Sequence, residues 1–215
     1  INLGLDIGAI SLKLAALGRP EDRPALESLC SAKPGFRLIE WDCDGRRLPL
    51  VLSEYRRMAG SPIQCTFDLL QDFYEVVPES RIEGIRVTGS GSRTIAKILG
   101  IYFENEFKAI ARMMGRFHPE VRTVFEIGGE SSKYIRLEPQ PETGHAAITD
   151  YDRSGECAAG TGSFLDQQAL RMGYSVEEIG AVVATAGCAA RIAGRCSVFA
   201  KSDMIHAQQK GYKPE

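Results

Sequence analysis

The apolar positions along this 215-residue chain alternate between strand-like and helix-like spacing. The opening run, INLGLDIG, predicts a strand that ends in a glycine turn, and SLKLAALG at 11–18 alternates as the returning strand of a hairpin. The charge and proline content of 19–35 predicts a loop, and DCDGRR at 42–47 predicts a turn. Further strands are predicted at 36–42, in 82–91, in 121–138 and at 145–154. Helical spacing predicts helices at 62–77, 93–100, 105–117, 162–172, 176–186 and 198–210.

The opening pattern occurs a second time in the chain. LGLDIGAISLKLAAL and VFEIGGESSKYIRL each read as a strand, an acid, Ile-Gly, a small turn, and then Ser and Lys before a second strand. In this alignment Asp6 matches Glu126, Gly8 matches Gly128, and Lys13 matches Lys133. The repeat predicts two similar lobes, which we place at 1–122 and 123–215.

Glycine turns after a strand have a specific chemical use. A tight turn through glycines presents backbone N–H groups to an anion, so two such hairpins could hold the phosphates of one nucleotide from both sides. The acid at each strand end could hold Mg²⁺, and either lysine could neutralise phosphate charge. Two ordinary hairpins would show the same glycines, but their paired occurrence favours phosphate binding. A third turn, VTGSGSR at 87–93, could add donors or simply join a strand to a helix. No Walker A pattern occurs.

Composition limits the partners and the compartment. The formal net charge is −2, with 44% hydrophobic and 25% charged residues, which indicates a globular protein without general affinity for nucleic acid or membrane surfaces. The six cysteines form no CxxC pair, which favours free thiols or metal ligands over disulfides and makes the cytoplasm the expected location. They are Cys30, Cys43, Cys65, Cys157, Cys188 and Cys196.

Six motifs together resemble one family. They are LGLDIGAISLK, VTGSGS, NEFKAIAR, FEIGGESSK, ECAAGTGSFLDQQA and RCSVFAKSD. The layout resembles the actin, sugar kinase and heat-shock chaperone ATPase superfamily. Within it, the chain is similar to the BadF/BadG/BcrA/BcrD-type ATPases, which include the activators of 2-hydroxyacyl-CoA dehydratases, and most similar to the activase domains of large multidomain relatives. The resemblance implies an α/β, ribonuclease H-like (actin-like ATPase) fold with two similar lobes.

The resemblance also implies an iron–sulfur centre. In that family a [4Fe–4S] cluster is shared by two subunits with two cysteines from each, and these match Cys157 and Cys196. A homodimer, or a second activase domain of a longer chain, would supply the other two ligands. ATP binding and hydrolysis would then drive a low-potential electron to a 2-hydroxyacyl-CoA dehydratase or a related reductase. The spacing alone favours buried free thiols for both cysteines, the commonest fate of an intracellular cysteine, and the resemblance is what indicates ligands.

The expected nucleotide is ATP or ADP with Mg²⁺. Glu106, in NEFKA, matches a family acid that could position the attacking water, although a solvated helix acid would look the same. Ala9 and Ile10 stand where the family carries hydroxyl residues, and Glu126 and Ser131 stand where many relatives have Asp. The candidate binding residues are Asp6, Gly8, Ser11, Lys13, Gly89, Gly91, Glu126, Gly128, Gly129 and Lys133.

Two alternatives remain open at this point. One is a small-molecule kinase of the same fold, although no acid poised as a base beside a substrate pocket is evident. The other is a degenerate, non-hydrolysing regulatory module, which the altered turns suggest. In the superfamily the second lobe continues with elements that hold the adenosine, so we expect an incomplete second lobe here. The longer protein is expected to be an ATPase that activates a reductase, and these residues are expected to be inactive alone.

Overall fold

The computed structural model describes residues 1–43, 45–58, 61–140, 142–155 and 160–213. The chain divides into two compact units, Ile1–Phe117 and His118–Glu215, and each has a sheet of its own. None of the helices within the described ranges is long and apolar enough to cross a membrane.

The first unit is built on a mixed sheet in which β1 lies in the middle. β1 pairs antiparallel with β2 and parallel with β6, and the order across the sheet is β3-β4-β2-β1-β6-β7, with β5 also paired to β2. The strands are β1 (Asn2–Ile7), β2 (Ser11–Leu17), β3 (Phe36–Cys43), β4 (Arg46–Ser53), β5 (Arg56–Arg57), β6 (Gly84–Thr88) and β7 (Tyr102–Phe103).

Four helices accompany this sheet. Leu3, Leu5 and Ile7 alternate along β1 and are buried in one apolar core together with Leu69 and Phe73, because every second residue of a strand faces the same side. The intervening positions of β1, including Gly4 and Asp6, face the other side of the sheet. The helices are α1 (Arg23–Ala32), α2 (Pro62–Tyr74), α3 (Ser92–Leu99) and α4 (Glu106–Phe117).

The second unit has a three-stranded antiparallel sheet in the order β10-β9-β8. Alternate residues of β9, among them Ile135 and Leu137, are buried, and a register shift interrupts its pairing with β10 between Ile148 and Asp150. The elements are β8 (Thr123–Ile127), β9 (Ser132–Gln140), β10 (His145–Arg153), α5 (Gly162–Met172), α6 (Val176–Ala184) and α7 (Ser197–Gln209).

Two local predictions need correction. The stretch 19–35 is not a loop, because it forms a short 3-10 helix and then α1, whose Leu26 and Leu29 are fully buried. Pro24 does not oppose this helix, since it lies in the first turn, where the backbone N–H has no intrahelical acceptor. The strand β4, with Val51 buried at its centre, was not predicted either.

Candidate functional site

The first candidate site is the turn between β1 and β2, residues 8–11, which we call the first glycine turn. The two strands pair with Asp6 directly opposite Lys13. The Gly8 N–H donates a hydrogen bond of 2.9 Å to the Ser11 carbonyl, which closes the turn. The predicted acid, glycine, serine and lysine are therefore brought together at one end of the hairpin.

The second glycine turn, residues 128–131 between β8 and β9, has the same construction. Glu126 lies opposite Lys133, and the Gly128 N–H donates a 2.9 Å hydrogen bond to the Ser131 carbonyl. Strand register, closing bond and the acid–lysine pair all coincide with those of the first hairpin. The internal repeat predicted from the sequence is confirmed at this level of detail.

The two central residues of each glycine turn have backbone N–H groups that are available as hydrogen-bond donors. Among the described residues, nothing accepts a hydrogen bond from the amides of Ala9 and Ile10 in the first turn, or from those of Gly129 and Glu130 in the second. Successive N–H groups at a turn form a concave anion site without any side chain. The absence of hydroxyl residues at Ala9 and Ile10 therefore removes side-chain donors and leaves the backbone donors in place.

The acid and the lysine are arranged differently in the two hairpins. Lys13 and Asp6 are about half exposed, and their charged atoms are 4.0 Å apart. Lys133 Nζ lies only 2.6 Å from Glu126 Oε2, and this lysine side chain is 5% exposed. A Cβ built on Gly128 would lie 2.9 Å from Glu126 Oε1, so the longer acid lies against its own turn.

A further turn lies against the first glycine turn. We call residues 89–92 the first helix-start turn, because α3 begins at Ser92. Gly91 N–H donates to the Ile7 carbonyl at 2.9 Å. Gly89 has φ +103°, and a Cβ there would lie 2.3 Å from the same carbonyl oxygen, so only glycine fits. The predicted Gly89 and Gly91 thus both contact the Ile7 carbonyl, at the end of β1 that leads into the first glycine turn.

The second unit has an equivalent that sequence reasoning missed. The second helix-start turn, residues 160–163, begins with Gly160 at φ +74° and leads into α5. Gly162 N–H donates to the Gly128 carbonyl at 2.8 Å, whereas Gly91 in the first unit donates to Ile7, one residue before the matching Gly8. The available signal was the four-residue pattern itself, GSGS at 89–92 and GTGS at 160–163.

A cavity of about 850 Å³ in the first unit adds two residues that were not predicted. It is lined by Asp6 and Lys13 and also by Thr88, which lies opposite Asp6 on the neighbouring strand. Thr88 Oγ1 is buried and, among the described residues, has no hydrogen-bond partner. Glu104, also in the lining, is buried and accepts a 2.8 Å hydrogen bond from Arg112. A buried polar atom without a partner marks a place where a ligand could bind.

The remaining predicted residues lie in three different settings. Glu106 is the first residue of α4 and is half-buried. Cys196 is half-buried at the N-cap of α7. Cys157 lies outside the described residues. In the described ranges, no three or more His, Cys, Asp and Glu residues are grouped closely enough to hold a metal ion.

Comparison with known proteins identifies the family. The model described as the BadF/BadG/BcrA/BcrD ATPase family matches residues 57–215. The 2-hydroxyisocaproyl-CoA dehydratase activator of Clostridioides difficile is 31% identical over 111 residues, which are 52% of this chain and 40% of that protein. The (R)-2-hydroxyglutaryl-CoA dehydratase activating ATPase of Acidaminococcus fermentans is 34% identical over 93 residues, 43% of this chain and 34% of that protein. The matched segments thus span well under half of these curated relatives.

Solved structures agree on the fold. The activator of the 2-hydroxyisocaproyl-CoA dehydratase from Clostridium difficile, with bound ADPNP, superposes with a TM-score of 0.70 at 23% identity, covering 99% of this chain and 67% of that one. The A. fermentans (R)-2-hydroxyglutaryl-CoA dehydratase component A gives a TM-score of 0.67 at 22% identity, with 99% and 70% covered. These likenesses confirm the predicted α/β, actin-like ATPase fold. The chain belongs to the BadF/BadG/BcrA/BcrD ATPase family.

Proposed function

We propose that this chain is the nucleotide-binding part of an ATP-dependent activator of a 2-hydroxyacyl-CoA dehydratase or a related reductase. The observation that carries the proposal is the repeated hairpin, in which an acid and a lysine face each other across a glycine turn in the same register. Family membership and the names of the relatives support the partner class.

The proposed nucleotide roles follow from the chemistry of the turns. The central amides of each glycine turn would hold nucleotide phosphate, and Asp6 would hold Mg²⁺ directly or through water. Lys13, half exposed beside the first turn, would neutralise phosphate charge. Gly89 and Gly91 pack against the end of β1 next to the first glycine turn and remain proposed nucleotide-binding residues. Glu106 is the proposed residue that positions the attacking water.

Cys157 and Cys196 are the proposed cluster ligands. Cys196 suits this role, because the N-terminal end of α7 is a favourable place for the negative charge of a cluster and its thiolates. Two cysteines per chain require a second subunit or a second activase domain to complete a four-thiolate site. When bound, such a cluster would supply the low-potential electron that the partner enzyme needs.

Nucleotide binding is tested by calorimetric titration of the chain with MgADP and Mg-ADPNP. Ala9→Asp places a carboxylate at the first turn and is expected to weaken binding by about tenfold or more, roughly 1.4 kcal/mol. Ala9→Asn has a side chain of the same size without the charge and is expected to stay within about threefold of the wild type. Equal affinity of the two variants would contradict phosphate binding at this turn.

The cluster is tested separately by anaerobic reconstitution followed by iron and sulfide analysis. A shared cluster predicts about two iron atoms per chain, together with a dimer in solution. The double variant Cys157→Ser with Cys196→Ser should take up none, whereas Cys188→Ser, an exposed cysteine, should behave as the wild type. Equal iron in the double variant would exclude these ligands.

One observation favours a second candidate, a nucleotide sensor that does not hydrolyse ATP. The Glu126 carboxylate is already engaged by the buried Lys133, so it is less available to Mg²⁺ than an acid at the same place without a partner. Phosphate release from ATP by the cluster-loaded protein in the presence of its partner enzyme distinguishes the two candidates. Turnover supports the activator, and binding without turnover supports the sensor.

A further inference from the structure

The start of α5 is hydrogen-bonded to the second glycine turn by its first two residues. Gly162 N–H donates to the Gly128 carbonyl at 2.8 Å, and Ser163 N–H donates to the Gly129 carbonyl at 3.2 Å. The Ser163 hydroxyl donates to the Gly129 carbonyl as well. Both carbonyls of the glycine pair are therefore engaged by the same helix end.

Ser132, at the far side of the turn, makes a second set of links. Its hydroxyl donates to the Gly160 carbonyl. Its N–H donates to Ser154 Oγ at 2.9 Å, and Ser154 N–H donates back to the Ser132 carbonyl at 2.8 Å. The hairpin is thus bonded to the end of β10 and to the beginning of the second helix-start turn.

Among the described residues of the first unit, the equivalent side-chain links do not occur. Ser92 occupies the position of Ser163, but its hydroxyl donates to Gly89 within its own turn at 2.6 Å. Within the described part of the first unit, the bond between this helix start and the end of β1 is the backbone one from Gly91 N–H to the Ile7 carbonyl. The serine links are therefore a specific feature of the second unit and not a consequence of the shared hairpin.

The geometry of the peptide unit connects these links to phosphate binding. The Gly129 N–H belongs to the same planar peptide as the Gly128 carbonyl, and the Glu130 N–H belongs to the same peptide as the Gly129 carbonyl. The two N–H groups that could hold a phosphate are thus on peptides whose carbonyls hold α5. Turning or polarising either peptide toward a phosphate must change the bonds to Gly162 and Ser163.

We propose that Ser163 and Ser132 are positioning residues that make the beginning of α5 follow the second glycine turn when nucleotide phosphate binds there. The inference rests on the proposed function and adds the residues that transmit the signal. In the sequence, Cys157 lies between Ser154 and Gly160, so the links flank the segment that carries this candidate ligand.

Hydrogen–deuterium exchange of the full chain tests the links without any ligand. Ser163→Ala is expected to raise the exchange rates of the amides in the first turn of α5 by about tenfold, since it removes a bond at the helix start. Ser163→Thr keeps the hydroxyl and should restore slow exchange. The matched control is Ser202→Ala, because Ser202 donates only within α7, to the Val198 carbonyl. Unchanged α5 exchange in Ser163→Ala would overturn the inference.

The second arm adds saturating Mg-ADPNP, with binding verified by calorimetry for every variant. In the wild type the exchange of α5 should change on binding. In the double variant Ser132→Ala with Ser163→Ala nucleotide should still bind, but the change in α5 exchange should be clearly smaller, because only the backbone bonds to the turn remain. An undiminished α5 response in that double variant would overturn the inference and leave the proposed function intact. Failure of the wild type to bind nucleotide would overturn the proposed function instead.

Discussion

Lys133 Nζ lies 2.6 Å from Glu126 Oε2, whereas Lys13 and Asp6, at the same register position of the first hairpin, are 4.0 Å apart. The side chain of Lys133 is 5% exposed and that of Lys13 is 50% exposed. A buried ammonium group needs its counter-charge, whereas an exposed one is stabilised by water. The acid of the second hairpin therefore supports the fold, and the half-exposed acid of the first is accessible to a ligand.

This difference predicts unequal effects of neutralising the two acids. Glu126→Gln should lower the free energy of unfolding by about 1–3 kcal/mol, because it neutralises the carboxylate that the buried Lys133 ammonium contacts at 2.6 Å. Asp6→Asn should change it by no more than about 0.5 kcal/mol, as expected for an exposed pair. Urea unfolding followed by circular dichroism measures both.

A second change sharpens that comparison. Adding Lys133→Met to Glu126→Gln removes the second member of the same ion pair, so the two losses should not add, and a double-mutant cycle reports this non-additivity. Equal losses of unfolding free energy for Glu126→Gln and Asp6→Asn would contradict a structural role for the second acid. Additive effects in the double-mutant cycle would do the same.

Of the glycines in the first helix-start turn, Gly89 is expected to tolerate substitution least. Its φ is +103°, and a Cβ at this position would lie 2.3 Å from the Ile7 oxygen. Gly89→Ala is therefore expected to lower the free energy of unfolding by about 3 kcal/mol or more. Gly100→Ala is the matched control, since Gly100 has φ +64° and open space around its Cβ position. It should lose only about 1 kcal/mol. Similar losses in thermal or urea unfolding would show that close approach to Ile7 is unimportant.

Asp72 on α2 predicts a pH-dependent contribution to stability. Hydrogen bonds from Arg56 and Lys33 hold the pKa of this carboxyl below its usual range. Because the pKa is lower in the folded state, the stabilisation is complete above the unfolded pKa of about 3.9 and is lost as the pH falls through the folded pKa. Asp72→Asn should therefore lower the free energy of unfolding by about 1–2 kcal/mol at pH 7.

The measurement is urea unfolding of the wild type and Asp72→Asn between pH 7 and about pH 2.5. The difference between them should shrink as the pH falls and the carboxyl is protonated. Asp68→Asn, on the exposed side of the same helix, provides the control and should show a small difference at every pH. If the difference in unfolding free energy between the wild type and Asp72→Asn stays constant with pH, the charge of Asp72 is not what stabilises the fold.

The hairpins were the most predictable part of the molecule. The repeated strand, acid, Ile-Gly and lysine spacing places Asp6 opposite Lys13 and Glu126 opposite Lys133, because residue separation across a two-residue turn determines strand register. Helix α1 was not predicted, since its two buried leucines are hidden among charges and prolines. Its helical state depends on the core that Leu26 and Leu29 enter.

The other omissions concern relationships that sequence spacing does not fix. Gly89 follows Gly8 by 81 residues, and Gly160 follows Gly128 by 32, so no constant offset relates the two helix-start turns. Thr88 is notable only because Oγ1 is buried without a partner among the described residues, which composition cannot show. The burial of Lys133 is likewise a property of tertiary packing, because the exposed Lys13 occupies the same place in the motif.

The central claim is that the backbone amides of the glycine turns bind nucleotide phosphate. It is tested most directly by following the backbone amides of Ala9, Ile10, Gly129 and Glu130 in ¹⁵N–¹H correlation spectra during a titration with Mg-ADPNP. We predict that all four resonances shift and that each shift saturates. Saturable nucleotide binding that leaves the amides of either turn unshifted would contradict the claim.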